Sequence, residues 1–342
     1  MSAKKRLAII LFNLGGPDGP EAVEPFLFNL FNDPLIIRVP QPLRWLIAKI
    51  ISSRRAPVAK DIYAKIGGRS PILPLTEEQA RALEQELAGD YEARCFIAMR
   101  YWNPFAKETA AAVKAWAPDE VILLPLYPQY STTTNMSSLG DWDKAVKAVG
   151  LAAPTRTICC YPVEPGFIAA YTELLREALA KFASSEKPRV LFSAHGLPKK
   201  VVDGGDPYQQ QVEASCKAVV EALGVEGLDW VTCYQSRVGP LEWIGPATDK
   251  EIERAGHEDK SLIVLPIAFV SEHSETLVEL DIEYAHLAKE AGVPRYERVP
   301  AVGTHPRFIA GLGNLVRTAM NSSDRLLCPE EAAGWPCGEE AR

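Results

Sequence analysis

The stretch Leu262–Tyr284, LIVLPIAFVSEHSETLVELDIEY, decides how the rest of the chain is read. It opens as an apolar run rich in leucine and β-branched residues, the pattern of a strand buried on both faces. The run breaks at Ser271-Glu272-His273 and resumes with helical spacing. At a helical period Glu272, Glu275, Glu279 and Glu283 share one stripe, and Leu277, Leu280 and Tyr284 another. Acids in a first helical turn complement the macrodipole, which accounts for Glu272 and Glu275. It does not account for a stripe that continues two turns further and starts beside His273. Such a row can pass a proton or a divalent cation.

Working outward, the same grammar recurs. LIVLPIAFVSEHSET (262–276) matches VILLPLYPQYSTTT (121–134) nearly position by position. Arg189–Pro198, ending in His195-Gly-Leu-Pro198, echoes the first apolar run Leu7–Leu14 and its Gly15-Gly16-Pro17 turn. Trp230–Pro240 stands where the strand ending in Arg100–Pro104 stood. Gly15-Gly16 lacks the spacing of a dinucleotide loop and marks a tight turn that something approaches closely. Strands alternating with helices give parallel sheets with crossover helices. The expected fold is α/β: two similar Rossmann-like lobes with four-stranded parallel sheets, at 1–153 and 154–305. A helix (306–325) packs back on the first lobe, and 326–342 form a tail. Ligands of such sheets bind beyond the carboxyl ends of the strands, which puts the expected site in a cleft between the lobes. Thr76-Glu77-Glu78-Gln79 reads as a capping box opening a helix over 76–87.

Composition narrows the function. The 342 residues carry a net charge of -7, which argues against a nucleic-acid partner. Seven cysteines, an odd number without a CxxC pair, fit a reduced cytoplasmic compartment. The apolar run near the N-terminus is too short for a leader and ends in a turn. Pro40–Arg55 (PQPLRWLIAKIISSRR) combines bulky apolar residues, a tryptophan and a basic end, and suits peripheral contact with the inner membrane or a lipophilic substrate. Monomer and homodimer both remain open.

In the second lobe His195 ends an apolar strand and is followed by glycine, while His273 and Glu272, Glu275 and Glu279 come from a neighbouring turn. Imidazole with carboxylate suits a borderline ion such as Fe(II), and the same groups accept protons near neutral pH. No HExxH or three-histidine zinc pattern is present.

The segments FNLGGPD, YAKIGGRSPI, MRYWNP, LPLYPQYSTTT, LFSAHGLP, YQSRVGPLEWIGPATD and PIAFVSEHSETLVELDIEY resemble those of the ferrochelatase family, in family order and over nearly the whole chain. The resemblance implies two Rossmann-like lobes and insertion of ferrous iron into protoporphyrin IX with release of two protons. Fe(II) is then a substrate, and no organic cofactor is required. It implies that His195 is the proton acceptor or metal ligand, with Glu275 as its partner and Glu272, His273 and Glu279 as the path beyond. It places Tyr63, Arg100 and Tyr101 on the opposite wall, Trp243 and Phe269 in the apolar pocket, and Arg55 and Ser70 at a propionate. Leu14 occupies a porphyrin-facing position that is Met or Tyr in other members, so it cannot itself hold iron. Some members carry a [2Fe-2S] cluster on four cysteines. Here the tail offers Cys328 and Cys337, the internal position is alanine near Ala169-Ala170, and Cys159 and Cys160 come too early to align, so no cluster is expected. The rival readings are a chelatase for another metal or tetrapyrrole, and a non-catalytic carrier of tetrapyrrole or iron.

Overall fold

In a computed structural model, which describes residues 4–183, 185–237 and 239–328, the chain divides into two compact units. Met1–Cys160 with Leu312–Arg342 make the first, and Tyr161–Gly311 the second.

The first unit is built on a parallel sheet ordered β2-β1-β3-β4-β9. Its strands are β1 (Arg6–Asn13), β2 (Glu92–Met99), β3 (Glu120–Pro125), β4 (Thr155–Ile158) and β9 (Leu326–Leu327). Leu7 to Phe12 and the whole of β3 are buried, as continuous apolar runs require when helices cover both faces. Two expectations change here. Thr155–Ile158 pairs with β3 and so belongs to the first sheet, which moves the join from 153/154 to 160/161. The sheet also gains a fifth strand, because the start of the tail pairs with β4.

The second unit repeats the arrangement with β5 (Arg189–His195), β6 (Trp230–Gln235), β7 (Leu262–Leu265) and β8 (Tyr296–Arg298), in the order β6-β5-β7-β8. The two sheets share one topology, and their registers can be overlaid. The Leu126 N–H bonds the Phe12 carbonyl in the first, and the Ile267 N–H bonds the Ser193 carbonyl in the second. Counting on from those carbonyls, Leu14 and His195 are equivalent positions.

Two helical segments depart from the sequence reading. Helix Ile72–Leu87 begins four residues before Thr76. The Thr76 hydroxyl donates to the Ile72 carbonyl and accepts from Asn13 Nδ2 at 3.1 Å, so it ties the helix to the end of β1 instead of capping it. The second departure concerns the acidic stripe. Glu275–Tyr284 is a π-helix, continued by an α-helix over Ala285–Glu290. A shorter π-turn, Thr132–Met136, occupies the matching place after β3. Wide turns of this kind are rare and concentrate at functional sites.

Helix Leu43–Ala64 buries small residues, Ala48, Ser52 and Ala56, together with Tyr63. Leu43, Trp45, Leu46, Ile50 and Val58 stay exposed. The apolar side therefore faces outward, because the small-residue side packs against helix Val23–Phe31. No helix among the described residues is long and apolar enough to cross a membrane.

Candidate active site

In the second sheet the strand order reverses between β5 and β7, the place where open α/β sheets gather ligands. His195 is the last residue of β5. Gly196 lets the following turn run close to its neighbours: a Cβ there would stand 3.0 Å from the Gln235 carbonyl oxygen and 3.3 Å from the Trp243 ring. After β7 the chain turns under the Tyr171 hydroxyl, which bridges the Pro266 carbonyl at 2.7 Å and that of Phe269. That turn delivers Phe269, His273 and Glu275.

The two ends meet. His195 Nδ1 lies 2.9 Å from Glu275 Oε2, and His273 Nε2 lies 3.8 Å from the same oxygen. The His195 side chain remains 39 % exposed, while His273 is buried under Phe269, ring centroids 4.7 Å apart. Burial alone would lower the His195 pKa, but the Glu275 charge, their hydrogen bond and the more distant Glu279 together raise it. Burial likewise works to raise Glu275. The His195 charge and hydrogen bond, reinforced by His273, hold it well below the usual carboxylate range instead. With an ionised carboxylate at Nδ1, the imidazole carries its proton on that side and leaves Nε2 as the acceptor.

Behind Glu275 lies Glu279. Burial first, and then the Glu275 charge, raise its pKa against the hydrogen bonds it accepts from Ser236 and Gln235. Glu272 takes a different course. Its carboxylate accepts from Arg298 Nη1 at 2.5 Å and from the Ala301 N–H at 2.9 Å. Burial would raise its pKa, but the Arg298 charge leads the contributions that lower it. Arg298 also grips Asp281 through two bonds of 2.6 Å. The expected stripe therefore splits: Glu275 and Glu279 follow His195, whereas Glu272 is an ion-pair partner of β8. The α-helical period misplaced Glu272 because the π-turn begins only at Glu275.

The remaining candidates lie in the first unit. Leu14, Tyr63 and Tyr101 pack in one apolar cluster with Val23, Phe26 and Ala56. Tyr101 is fully buried and donates to Asp33 Oδ2 at 2.8 Å, so it supports a wall from inside instead of presenting its ring. Arg100 donates to the same carboxylate oxygen at 2.8 Å and lines a cavity of about 480 Å³ with Asn29, Lys107 and Asp141. Ser70 is what approaches the glycine turn. A Cβ on Gly16 would come within 2.5 Å of it, and its N–H bonds the Pro17 carbonyl. Arg55 is exposed, with its guanidinium 5.9 Å from the Phe31 ring centroid.

Cys159 and Cys160, set apart above as too early in the chain, pack in one cluster with Cys328. The pairing of β9 with β4 causes this, since Ile158 stands opposite Leu327 and the Cys159 N–H bonds the Leu327 carbonyl. Distance along the sequence therefore did not separate these thiols from the tail. Cys337 lies outside the described residues.

Asp33, Gln235, Ser236 and Arg298 hold these groups and escaped the sequence reading. A glutamine closing an otherwise apolar strand was the one visible signal; the others depend on contacts far apart in the chain.

The ferrochelatase family model matches residues 6–320. The chain belongs to the ferrochelatase family. Among its relatives, ferrochelatase of Phenylobacterium zucineum is 60 % identical over 340 residues, covering 97 % of this chain and 98 % of that protein. Ferrochelatase of Caulobacter vibrioides is 56 % identical over 339 residues, covering 98 % and 96 %. The fold is shared more widely: SirB from Bacillus subtilis with Fe3+ superposes with a TM-score of 0.53 at 14 % identity, over 93 % of this chain and 97 % of that one. As a member of the ferrochelatase family the protein is a metal chelatase. His195 and Glu275 sit in it at the end of the first strand of the second sheet and in the turn after the third.

Proposed function

We propose that this chain inserts Fe(II) into protoporphyrin IX, releasing two protons, with His195 as the first proton acceptor. The observation that carries this reading is the 2.9 Å contact between His195 Nδ1 and Glu275 at the switch point of the second sheet. A flat porphyrin keeps its four nitrogens in its own plane, with two N–H protons where the metal must go. Insertion therefore needs a base aimed at the ring face and a pocket that favours the bent macrocycle over the flat one. His195 Nε2 supplies the base. Glu275 fixes the tautomer and stabilises the imidazolium that forms, and Glu279 offers a second carboxylate whose raised pKa suits it to hold a proton. Trp243 packs against Gly196, the residue after that base, and Phe269 against His273, which gives apolar surface on these two sides.

The reading extends to the setting of the reaction. A lipophilic substrate fits the exposed apolar side of helix Leu43–Ala64, which sets Leu43, Trp45, Leu46 and Ile50 beside Arg44, Lys49, Arg54 and Arg55. Such a face supports peripheral contact with a membrane surface.

The test is loss of free-porphyrin fluorescence driven by Fe(II) or Zn(II). The native chain should cycle on protoporphyrin, and His195→Ala should abolish turnover while leaving porphyrin binding largely intact. A chain that binds and quenches stoichiometrically without cycling is a carrier. Faster turnover on another tetrapyrrole would reassign the substrate.

A further inference from the structure

Two protons leave the macrocycle for each iron that enters, and one imidazole–carboxylate pair holds one of them. A second acceptor must therefore be within reach and correctly oriented. The side chains around Glu279 are arranged for that purpose. Gln235 closes β6 opposite His195 in the ladder, and its carbonyl accepts the Gly196 N–H. Its side chain is fully buried. Ser193 Oγ donates to Gln235 Oε1 at 2.7 Å, which fixes the amide so that Nε2 faces the acids. That nitrogen donates to the Glu275 carbonyl at 2.9 Å and to Glu279 Oε2 at 3.1 Å. Ser236 follows in the left-handed region, φ 60°, which is uncommon outside glycine and persists where surrounding contacts hold it. In that conformation its N–H donates to Glu279 Oε1 at 2.7 Å and its hydroxyl to Oε2. Tyr284 completes the set from the end of the π-helix, its hydroxyl 3.0 Å from Oε1.

We propose that Gln235 and Ser236 are positioning residues for metal insertion, holding the Glu279 carboxylate behind Glu275 so that the second proton finds an oriented acceptor. The proposal rests on the reading of His195 as the first acceptor. In the proton sequence, a pyrrole N–H breaks as the His195 Nε2–H forms, and Nδ1–H passes to Glu275 Oε2. Glu279 then gains the O–H that Glu275 gives up, which restores the Glu275 carboxylate and leaves His195 neutral with its hydrogen on Nε2. Exchange with water at the part-exposed imidazole, losing Nε2–H and gaining Nδ1–H, returns the ring to its starting state for the second pyrrole proton. Neither positioning residue exchanges a proton. One amide joins the backbone of Glu275 to the carboxylate of Glu279, so any shift of one acid is felt by the other.

The experiment uses the full chain and four single variants, Ser236→Gly, Gln235→Met, Glu279→Gln and His195→Ala, with kcat, KM for porphyrin and the unfolding midpoint measured for each. Ser236→Gly keeps the N–H and suits the backbone angle while removing only the hydroxyl. Gln235→Met keeps the volume and removes the amide. Each is expected to lower kcat about ten-fold with KM unchanged, as loss of a hydrogen bond to a charged group predicts. The midpoint holds in Ser236→Gly and falls in Gln235→Met, which takes the amide partner from Ser193 and the Glu275 carbonyl. Combined with Glu279→Gln, each should add little, because all three act on one group. Native kcat in Ser236→Gly, a loss confined to KM, or losses that multiply with that of Glu279→Gln would overturn the proposal. His195→Ala separates the two levels: if it turns over normally the underlying reading fails, and if it is inactive while Ser236→Gly is not, this proposal alone fails.

Discussion

The switch-point turns of the two units start from one plan and end in different chemistry. Each follows an apolar strand and a Leu-Pro step and enters a π-turn, and each faces a strand end of the same register. Where the second unit puts His195, the first puts Leu14. In the turn where the second unit has the acids Glu275 and Glu279, the first has hydroxyls and an amide: Thr133 Oγ1 pairs with Ser131 Oγ, Thr134 donates to Asn135 Oδ1, and Asn135 Nδ2 donates to the Cys159 carbonyl. The first turn is tied down through Ser131 Oγ, which accepts the Thr133 N–H, and through Asn135, which accepts the Ser131 N–H and donates to the Cys159 carbonyl. The second leaves an imidazole nitrogen and two carboxylates in a chain of contacts. One topology thus carries an apolar side chain at this position in one copy and an imidazole–carboxylate pair in the other.

The largest test of this contrast makes the second turn copy the first. His195→Leu should lower turnover by about a thousand-fold, the range expected for removing a general base, whereas Thr134→Val in the matching acid position should leave kcat within about two-fold. Steady-state insertion assays on both variants decide it. A milder probe is pH. His195 must be neutral at Nε2 to accept a proton, and its pKa is raised above the ordinary value of 6.5. So kcat/KM should fall as pH drops through a value above 6.5, about ten-fold per unit at the acid limit. A limb centred below 6.5 would mean that the Glu275 charge does not act on this imidazole.

Two buried ion pairs sharpen the comparison on the side of stability. Arg298→Met strands Glu272 and Asp281 and should cost about 3 kcal/mol in urea unfolding. Asp33→Asn in the first unit weakens three bonds, from Arg100, Tyr101 and Ser137, and should cost about 2 kcal/mol. Glu272 has a lowered pKa, so its contribution is present above the unfolded carboxylate value and is lost as pH falls through the lower folded one. The smallest effect belongs to Thr134→Ala, which removes a hydroxyl that donates to the neighbouring Asn135 Oδ1 at 2.9 Å and should cost under about 1 kcal/mol.

The strands and their order were legible because a run such as Leu7–Phe12 admits few other environments, and the internal match of 121–134 with 262–276 carried the topology over to the second sheet. His195 and Glu275 were legible for the same reason, since His195 ends β5 and Glu275 follows the turn after β7. The α-helical period failed at Glu272, because a π-turn is not written in residue spacing. Thr76 looked like a cap, but Asn13, 63 residues away, takes its hydroxyl. The outward apolar side of Leu43–Ala64 was visible as composition, while the choice of Ala48, Ser52 and Ala56 as the buried side depended on what they meet. Cys159 and Cys328 show the same limit, since a two-residue strand pairing brought them together.

The pairing of β9 with β4 bears on how the molecule is made. The second unit is an insertion: synthesis leaves the first at Cys160 and returns to it only at Leu312. A ribosome must therefore emit all of the second unit before the first can acquire its last strand, and the half-finished domain waits with one edge of β4 open. Cutting the chain before Leu326 would remove that edge partner while sparing every residue around His195. Such a truncation would reveal whether the early half can stand without its late-arriving strand.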